Sequence, residues 1–442
     1  MSPYSSFDRW GNALATLLIV ASLIIILLPR SSTEVGEVTE ESLPAGTLTL
    51  LELQGKLLIG LGSIERSAVE EQLETLTPFA ASPAGAKAVA ALQSYFLPRG
   101  EREKALTHLP PQDQQTAEEA LLRAAILTPS SLTAKDRESL ARDLGWFHQL
   151  PLATIDPHID KDLKQESRQL LVLSVVALTL VAFTIGAGGI LLIIAIYRSS
   201  QGKLPRRFQP PQDHASVYYQ AFAVYLGTML LLSALASMGK GVTLLGSSMA
   251  MLISLLVGLS WPLLRGIPKQ QLRRDLGIHQ GSGALKEIGS GLVAYVTLLP
   301  ILGLGFFGTL LLQALAKLVS GGESEPISHP IYEVMPSATP STLFLVFFLA
   351  SVMAPLTEEI MFRGALYRSL RGWFPVWGAL LLMAFLFAAV HPQGIFAIPS
   401  LMAMAVNFGL MREWRDSLIA GIVTHGLHNG TLLLMVTLAL GG

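Results

Sequence analysis

The 442-residue chain contains no cysteine. Disulfide staples, thiolate metal centres, a cysteine nucleophile and cysteine lipidation are therefore excluded together. Charge is scarce as well. Asp, Glu, Lys and Arg make up 14% of the residues, against roughly 25% in an ordinary soluble domain. Glycine and proline, 39 and 25 residues, are too few and too aperiodic for a fibrous repeat. Also missing are the H-E-x-x-H zinc-protease signature, Gly-x-Ser-x-Gly, a glycine-rich phosphate loop and any basic patch suited to nucleic acid. What the chain does hold is apolar: 51% hydrophobic residues and a mean hydropathy of +0.51. These values exclude disorder and a wholly soluble enzyme, and point to an integral membrane protein.

The net charge of −1 conceals a partition. Residues 31–167 hold 21 acidic and 12 basic side chains, and the remainder holds 11 acidic and 19 basic. An acidic soluble part and a membrane part with basic loops are expected. About 20 apolar residues of helix cross a bilayer core, and the first such run extends from Gly11 to Leu28, with Arg9 before it and Arg30 after it. No small-x-small cleavage pattern follows, so it reads as a retained anchor. Further spans are expected at Leu170–Ile196, Val217–Met238, Leu244–Leu264, Ile288–Val319, Leu343–Arg371, Trp373–Val390, Ile395–Met411 and Ser417–Leu440. The fold class is thus all-α, a polytopic helical membrane bundle of about nine spans with an extracytoplasmic helical insert. Its expected divisions are an anchor (1–30), a soluble helical domain (31–167), membrane helices (168–340) and a membrane core carrying the chemistry (341–442).

Loop charge sets orientation. Arg198, Lys203, Arg206 and Arg207 follow the second span, and Arg265, Lys269, Arg273 and Arg274 follow the fourth. The third is followed by Lys240 alone and the fifth by Glu323, Glu325 and Glu333. The amino terminus is accordingly placed in the cytoplasm and the insert outside it. Within the insert, Thr33–Ser42 reads as an acidic linker, and Thr133 three residues before Asp136 marks a helix start that Leu140, Leu144 and Phe147 continue,. A small bundle or stacked helical hairpins is expected. His108, His148 and His158 lack ligand spacing, and the glycine clusters 186–189 and 303–308 read as close helix packing,.

Chemistry concentrates in the last hundred residues. The apolar run from Leu343 ends in Thr357-Glu358-Glu359-Ile360-Met361-Phe362-Arg363. An ionisable group in a membrane costs several kcal/mol by most estimates, so adjacent glutamates there need a purpose. Glu359 and Arg363, at i and i+4, suit an ion pair on one helix face. Glu358 lies about 100° round the helix and has no sequence-local cation. Phe387-Ala-Ala-Val-His391 closes a second apolar helix with a histidine, and His425 and Asn429 share a face of a third. Counted inward from the flanking polar residues at about 1.5 Å per residue, Glu358 and Asn429 lie about 20 Å deep, His425 about 14 Å and His391 about 27 Å. A common polar cluster inside the bilayer is therefore within reach. A carboxylate there can take a proton from water and direct that water at a carbonyl. Two imidazoles can stabilise the oxyanion, or join the carboxylate in holding a divalent metal.

Glu358-Glu359-x-x-x-Arg363, Phe387-x-x-x-His391 and His425-x-x-x-Asn429, in that order on apolar helices, resemble the three motifs of the CPBP intramembrane proteases. That family includes the type II CAAX prenyl endopeptidases and bacteriocin-processing or immunity proteins. The resemblance covers roughly residues 340–440. It implies that Glu358 activates the attacking water, that His391 and His425 are base partners or metal ligands, that Asn429 helps hold the oxyanion, and that Glu359 and Arg363 support them. It implies either a divalent metal such as zinc or a metal-independent glutamate mechanism. The partners it implies are the lipid bilayer and a peptide or protein substrate, lipidated in the best-known relatives, with no nucleic acid. The location it implies is a prokaryotic-type plasma membrane or a thylakoid membrane. A non-enzymatic immunity or scaffold protein, binding a partner through the insert, and a proton or metal transporter are the competing classes; the chain shows no inverted repeat of the transporter kind.

Overall fold

The computed structural model describes residues 6–27, 47–65, 67–210, 213–237, 244–320 and 339–440. Among these every regular element is helical. Lys240, the connection carrying Glu323, Glu325 and Glu333, and the Thr33–Ser42 linker lie outside the described residues. The chain divides into two compact units, one of residues 1–30 and 182–435, the other of residues 31–181 and 436–442.

The second unit is a small bundle packed round one central helix, Pro83–Phe96, rather than a stack of repeated hairpins. That helix is rich in alanine, and Ala86, Ala88, Val89, Ala90, Ala91 and Leu92 are all buried. A helix apolar on every side must be covered on every side, and its small side chains let Leu51, Leu122, Ile126, Leu140 and Leu150 close in around it. Ser82 caps it, and reciprocal capping boxes at Thr116–Glu119 and Thr133–Asp136 start the helices Ala117–Leu127 and Ala134–Leu144. Lys87 reaches from the central helix to Asp143 at 2.7 Å and Glu118 at 3.0 Å, which ties three helices through one cation.

The first unit is membrane-embedded. The chain has eight helices long and apolar enough to cross a bilayer, among the described residues, and it is an integral multi-pass membrane protein. The segment expected as a ninth span, Trp373–Val390, is instead a 14-residue helix, Val376–Ala389. Pro375 sits at its start, and the chain turns at His391-Pro392-Gln393-Gly394, with Gly394 at φ 80°. Neither proline can donate to a helix interior, so the two set the limits of the element. Aromatic rings hold the core together: Phe362 meets Phe222 at 5.0 Å and Phe387 at 5.1 Å, both edge-on. Outward faces are apolar, as Phe306, Phe307, Leu310, Leu381 and Leu432 show. The glycines at 188, 305 and 308 meet the neighbouring helix closely, in keeping with their packing role, whereas 186, 189 and 303 face open space.

Buried charge locks one end of this bundle. Asp275 takes Arg368 at 2.8 Å and the Tyr218 hydroxyl at 2.7 Å. Glu413 accepts from Arg371 and Tyr367, each at 2.7 Å. Glu287 accepts two hydrogen bonds from Arg415, at 2.7 and 2.9 Å. Gly277, at φ 80°, ends the helix Lys269–Leu276 where a side chain would strike the Arg412 guanidinium. Breaking a pair of this kind leaves an uncompensated buried charge, so these contacts fix helix position strongly whatever their net stabilisation.

Candidate active site

The helix carrying the two glutamates begins with Thr339 accepting from the Thr342 amide and with Pro340 in its first turn. It then widens twice, into π-helical turns at Leu349–Met353 and Glu359–Leu366. In the first of these the Ala354 amide donates to the Leu349 carbonyl. Continued by one residue, that pattern would send the Ala350 carbonyl to the amide of residue 355, which is proline and has none. The Nδ2 of Asn429 donates to Ala350 O instead, at 2.9 Å. Alongside it, Gly426 lies against the Ser351 carbonyl, where a Cβ would sit 2.5 Å away. The helix Ile419–Leu440 thus satisfies the backbone that the proline disrupts.

The second widened turn begins at Glu359, and the two adjacent carboxylates have separate surroundings. Glu359 is fully buried. Its Oε1 is 3.0 Å from Arg363 Nη1 and 3.2 Å from His425 Nδ1. The guanidinium lies 4.5 Å from the centre of the Phe387 ring and 5.0 Å from that of Phe408, and its Nη2 donates to Ala405 O at 3.3 Å. One ion pair and two aromatic faces hold this arginine in place of a full set of hydrogen bonds. The i, i+4 pairing expected from sequence is present, and the tertiary environment makes it dry.

Glu358 keeps an 18% exposed side chain and faces the histidines. Its Oε2 is 3.7 Å from His391 Nε2 and 3.7 Å from His425 Nε2, and this oxygen has no hydrogen-bond partner among the described residues. The depth count from sequence put the two imidazoles two helical turns apart. Both nevertheless reach the same Glu358 oxygen.

Hydrogen bonds fix which ring nitrogens carry protons. His391 Nδ1 is 2.6 Å from the Phe387 carbonyl, which only accepts, so Nδ1 is the donor,. His425 Nδ1 faces the arginine-paired Glu359 carboxylate, so it too donates. In the neutral form of each ring, Nε2 then turns its lone pair toward Glu358,. Phe387 lies against His391 with ring centres 4.3 Å apart, and Phe408 stacks on His425 at 4.7 Å and 26°. Three side-chain atoms, two from helices and one from the turn at His391, converge on one small volume. Such a set calls for a proton donor between its members, and a water molecule can serve.

Five of the six residues singled out from sequence thus form two linked groups, with Asn429 apart from both. Glu358, His391 and His425 converge, Glu359 and Arg363 brace His425 from behind, and Asn429 binds the backbone at Ala350 with one of its amide hydrogens. Two contributors escaped the sequence reading. Phe408 carried no polar signal. Gly421, four residues before His425 on the same face, comes so close to Glu359 that a Cβ would meet Oε2 at 2.8 Å. As for a metal held by His391 and His425, no group of three or more His, Asp or Glu side chains among the described residues is arranged to hold an ion.

Residues 340–431 match the family model described as Type II CAAX prenyl endopeptidase Rce1-like. The matched segment contains every one of the six residues above. Neither the curated proteins nor the solved structures give a match to the chain.

Proposed function

We propose that this chain, whose residues 340–431 are an Rce1-like domain of the CAAX-type membrane proteases, is an intramembrane endopeptidase that uses a glutamate-activated water. The observation that carries the reading is the approach of two bare Nε2 atoms to the same Glu358 oxygen, each at 3.7 Å. A water at that point donates one hydrogen to Glu358 and the other to an imidazole, which leaves its lone pairs directed at a substrate carbonyl. Glu358 takes the proton as the water oxygen bonds to the carbonyl carbon, and returns it to the amine as the C–N bond breaks. Glu359 holds His425 in the tautomer this requires, and Arg363 balances the Glu359 charge. The second amide hydrogen of Asn429 is the proposed oxyanion donor. The substrate is a membrane-associated peptide, lipidated as in the family's namesake activity.

Glu358→Gln, assayed on a prenylated peptide in proteoliposomes, lowers turnover by roughly a hundredfold to ten-thousandfold while melting close to the parent, since Arg363 keeps its ion pair with Glu359. Full cleavage by that variant ends the reading. A biological phenotype that survives the substitution transfers the case to a binding protein of the immunity or scaffold class.

A further inference from the structure

A shallow groove of about 410 Å³ opens on the membrane-embedded unit, between the start of the helix Ala284–Ser320 and the end of Ile398–Arg415. Its rim carries Arg207 and Lys286, both exposed. Arg207 donates to Ser282 Oγ, and no described carboxylate forms an ion pair with either cation. The Arg207 amide bonds Glu413 O at 2.9 Å, which seats the residue beside Trp414. Behind the rim, Arg415 is matched by the buried Glu287 and lies over the Trp414 ring at 4.9 Å. Glu287 also interacts electrostatically with Arg207, and three cations against this one carboxylate leave the groove net positive.

Its lower wall is different. Gly289 and Val293 lie about one and two turns beyond Lys286 on the same helix, and the sequence becomes apolar from Ile288 onward,. A Cβ on Gly289 would meet nothing within 4 Å, and Val293 is 44% exposed. The groove thus runs from cationic to apolar in the direction that leads into hydrocarbon. Trp414 stands at the boundary, the level at which indole rings anchor in membranes. A free phosphate would use only the rim. A ligand with an anionic head and an apolar chain uses the whole groove.

We propose that this groove binds an anionic phospholipid, its phosphate between Arg207 and Lys286 and an acyl chain along Gly289 and Val293. The site shares no residue with the Glu358 cluster and stands whether or not that cluster is catalytic. The test is native mass spectrometry of the full chain, released from nanodiscs of phosphatidylglycerol or of phosphatidylcholine with the same acyl chains. The parent retains phosphatidylglycerol and sheds phosphatidylcholine. Lys286→Gln and Arg207→Gln each weaken retention about fivefold. Gly289→Leu fills the open space and displaces the lipid while melting no lower than the parent, because glycine is a poor helix-interior residue. Equal retention of the two lipids, undiminished phosphatidylglycerol in the three variants, or full displacement by millimolar inorganic phosphate overturns the proposal.

Discussion

Phe408 stacks on the imidazole of His425, ring centres 4.7 Å apart and planes 26° from parallel, while presenting another part of its ring to Arg363. One apolar side chain therefore orients both the histidine that faces Glu358 and the arginine that neutralises Glu359. Phe408→Ala costs about 3–5 kcal/mol through the cavity it leaves. Phe408→Leu keeps most of the apolar volume and costs under about 1.5 kcal/mol, yet it removes the flat face, and kcat falls at least tenfold. Thermal melting set beside single-turnover cleavage separates the two effects.

Gly421 permits the approach of Glu359 to the helix Ile419–Leu440. An added methyl must push the carboxylate off Arg363 or tilt the helix, and either moves His425. Gly421→Ala is expected to lower cleavage by one to two orders of magnitude, although alanine is the better helix former by about 1 kcal/mol. A variant that keeps full activity would mean that His425 does not depend on Glu359 for its position.

Asn429 repairs the backbone at the first widened turn. Asn429→Ala leaves the Ala350 carbonyl without its donor and costs about 1–3 kcal/mol of stability. Asn429→Asp costs more, since a carboxylate cannot donate to a carbonyl. If the amide also holds the oxyanion, kcat drops by a hundredfold or more while KM stays put. A melting loss with unchanged kcat assigns the residue to the backbone alone.

Much of this was legible in sequence, and the limits follow from physics. Glu359 and Arg363 were readable as a pair because i, i+4 spacing is local. Glu358 was readable as unpaired for the same reason. The convergence of His391 and His425 on one oxygen was readable only to within two turns, because depth counted along the chain assumes uniform helix and full-length spans. Two π-helical turns and a 14-residue helix break that assumption. Phe408 and Gly421 act through shape, which leaves no mark in a list of polar intrusions. In the second unit, the cap at Thr133 obeyed local rules, whereas the central place of Pro83–Phe96 depended on what packs round it.

Chelation offers a check on the proton bookkeeping at Glu358. On the glutamate-activated-water reading, cleavage should persist after dialysis against EDTA and in the presence of phenanthroline. Loss of activity that zinc alone restores would replace the general-base reading with a metal-centred one.

Lys87 gives the second unit a pH signature. Burial opposes its charge, but hydrogen bonds to Asp143 and Glu118 outweigh it and hold the ammonium above its ordinary pKa. The stabilisation is complete below the ordinary lysine value and disappears as pH rises through the raised one. Hydrogen exchange of Pro83–Phe96, corrected for intrinsic rate, should therefore show protection falling above about pH 10 in the parent. Lys87→Met should be less protected at neutral pH and flat across that range.

The 14 residues of Val376–Ala389 rise only about 21 Å,, whereas hydrocarbon interiors are about 30 Å thick. A bilayer that thins where the chain turns at His391 brings the aqueous boundary nearer to Glu358. Acyl chain length then becomes a control on hydration of the reacting carboxylate: thicker membranes dry the cluster, thinner ones wet it.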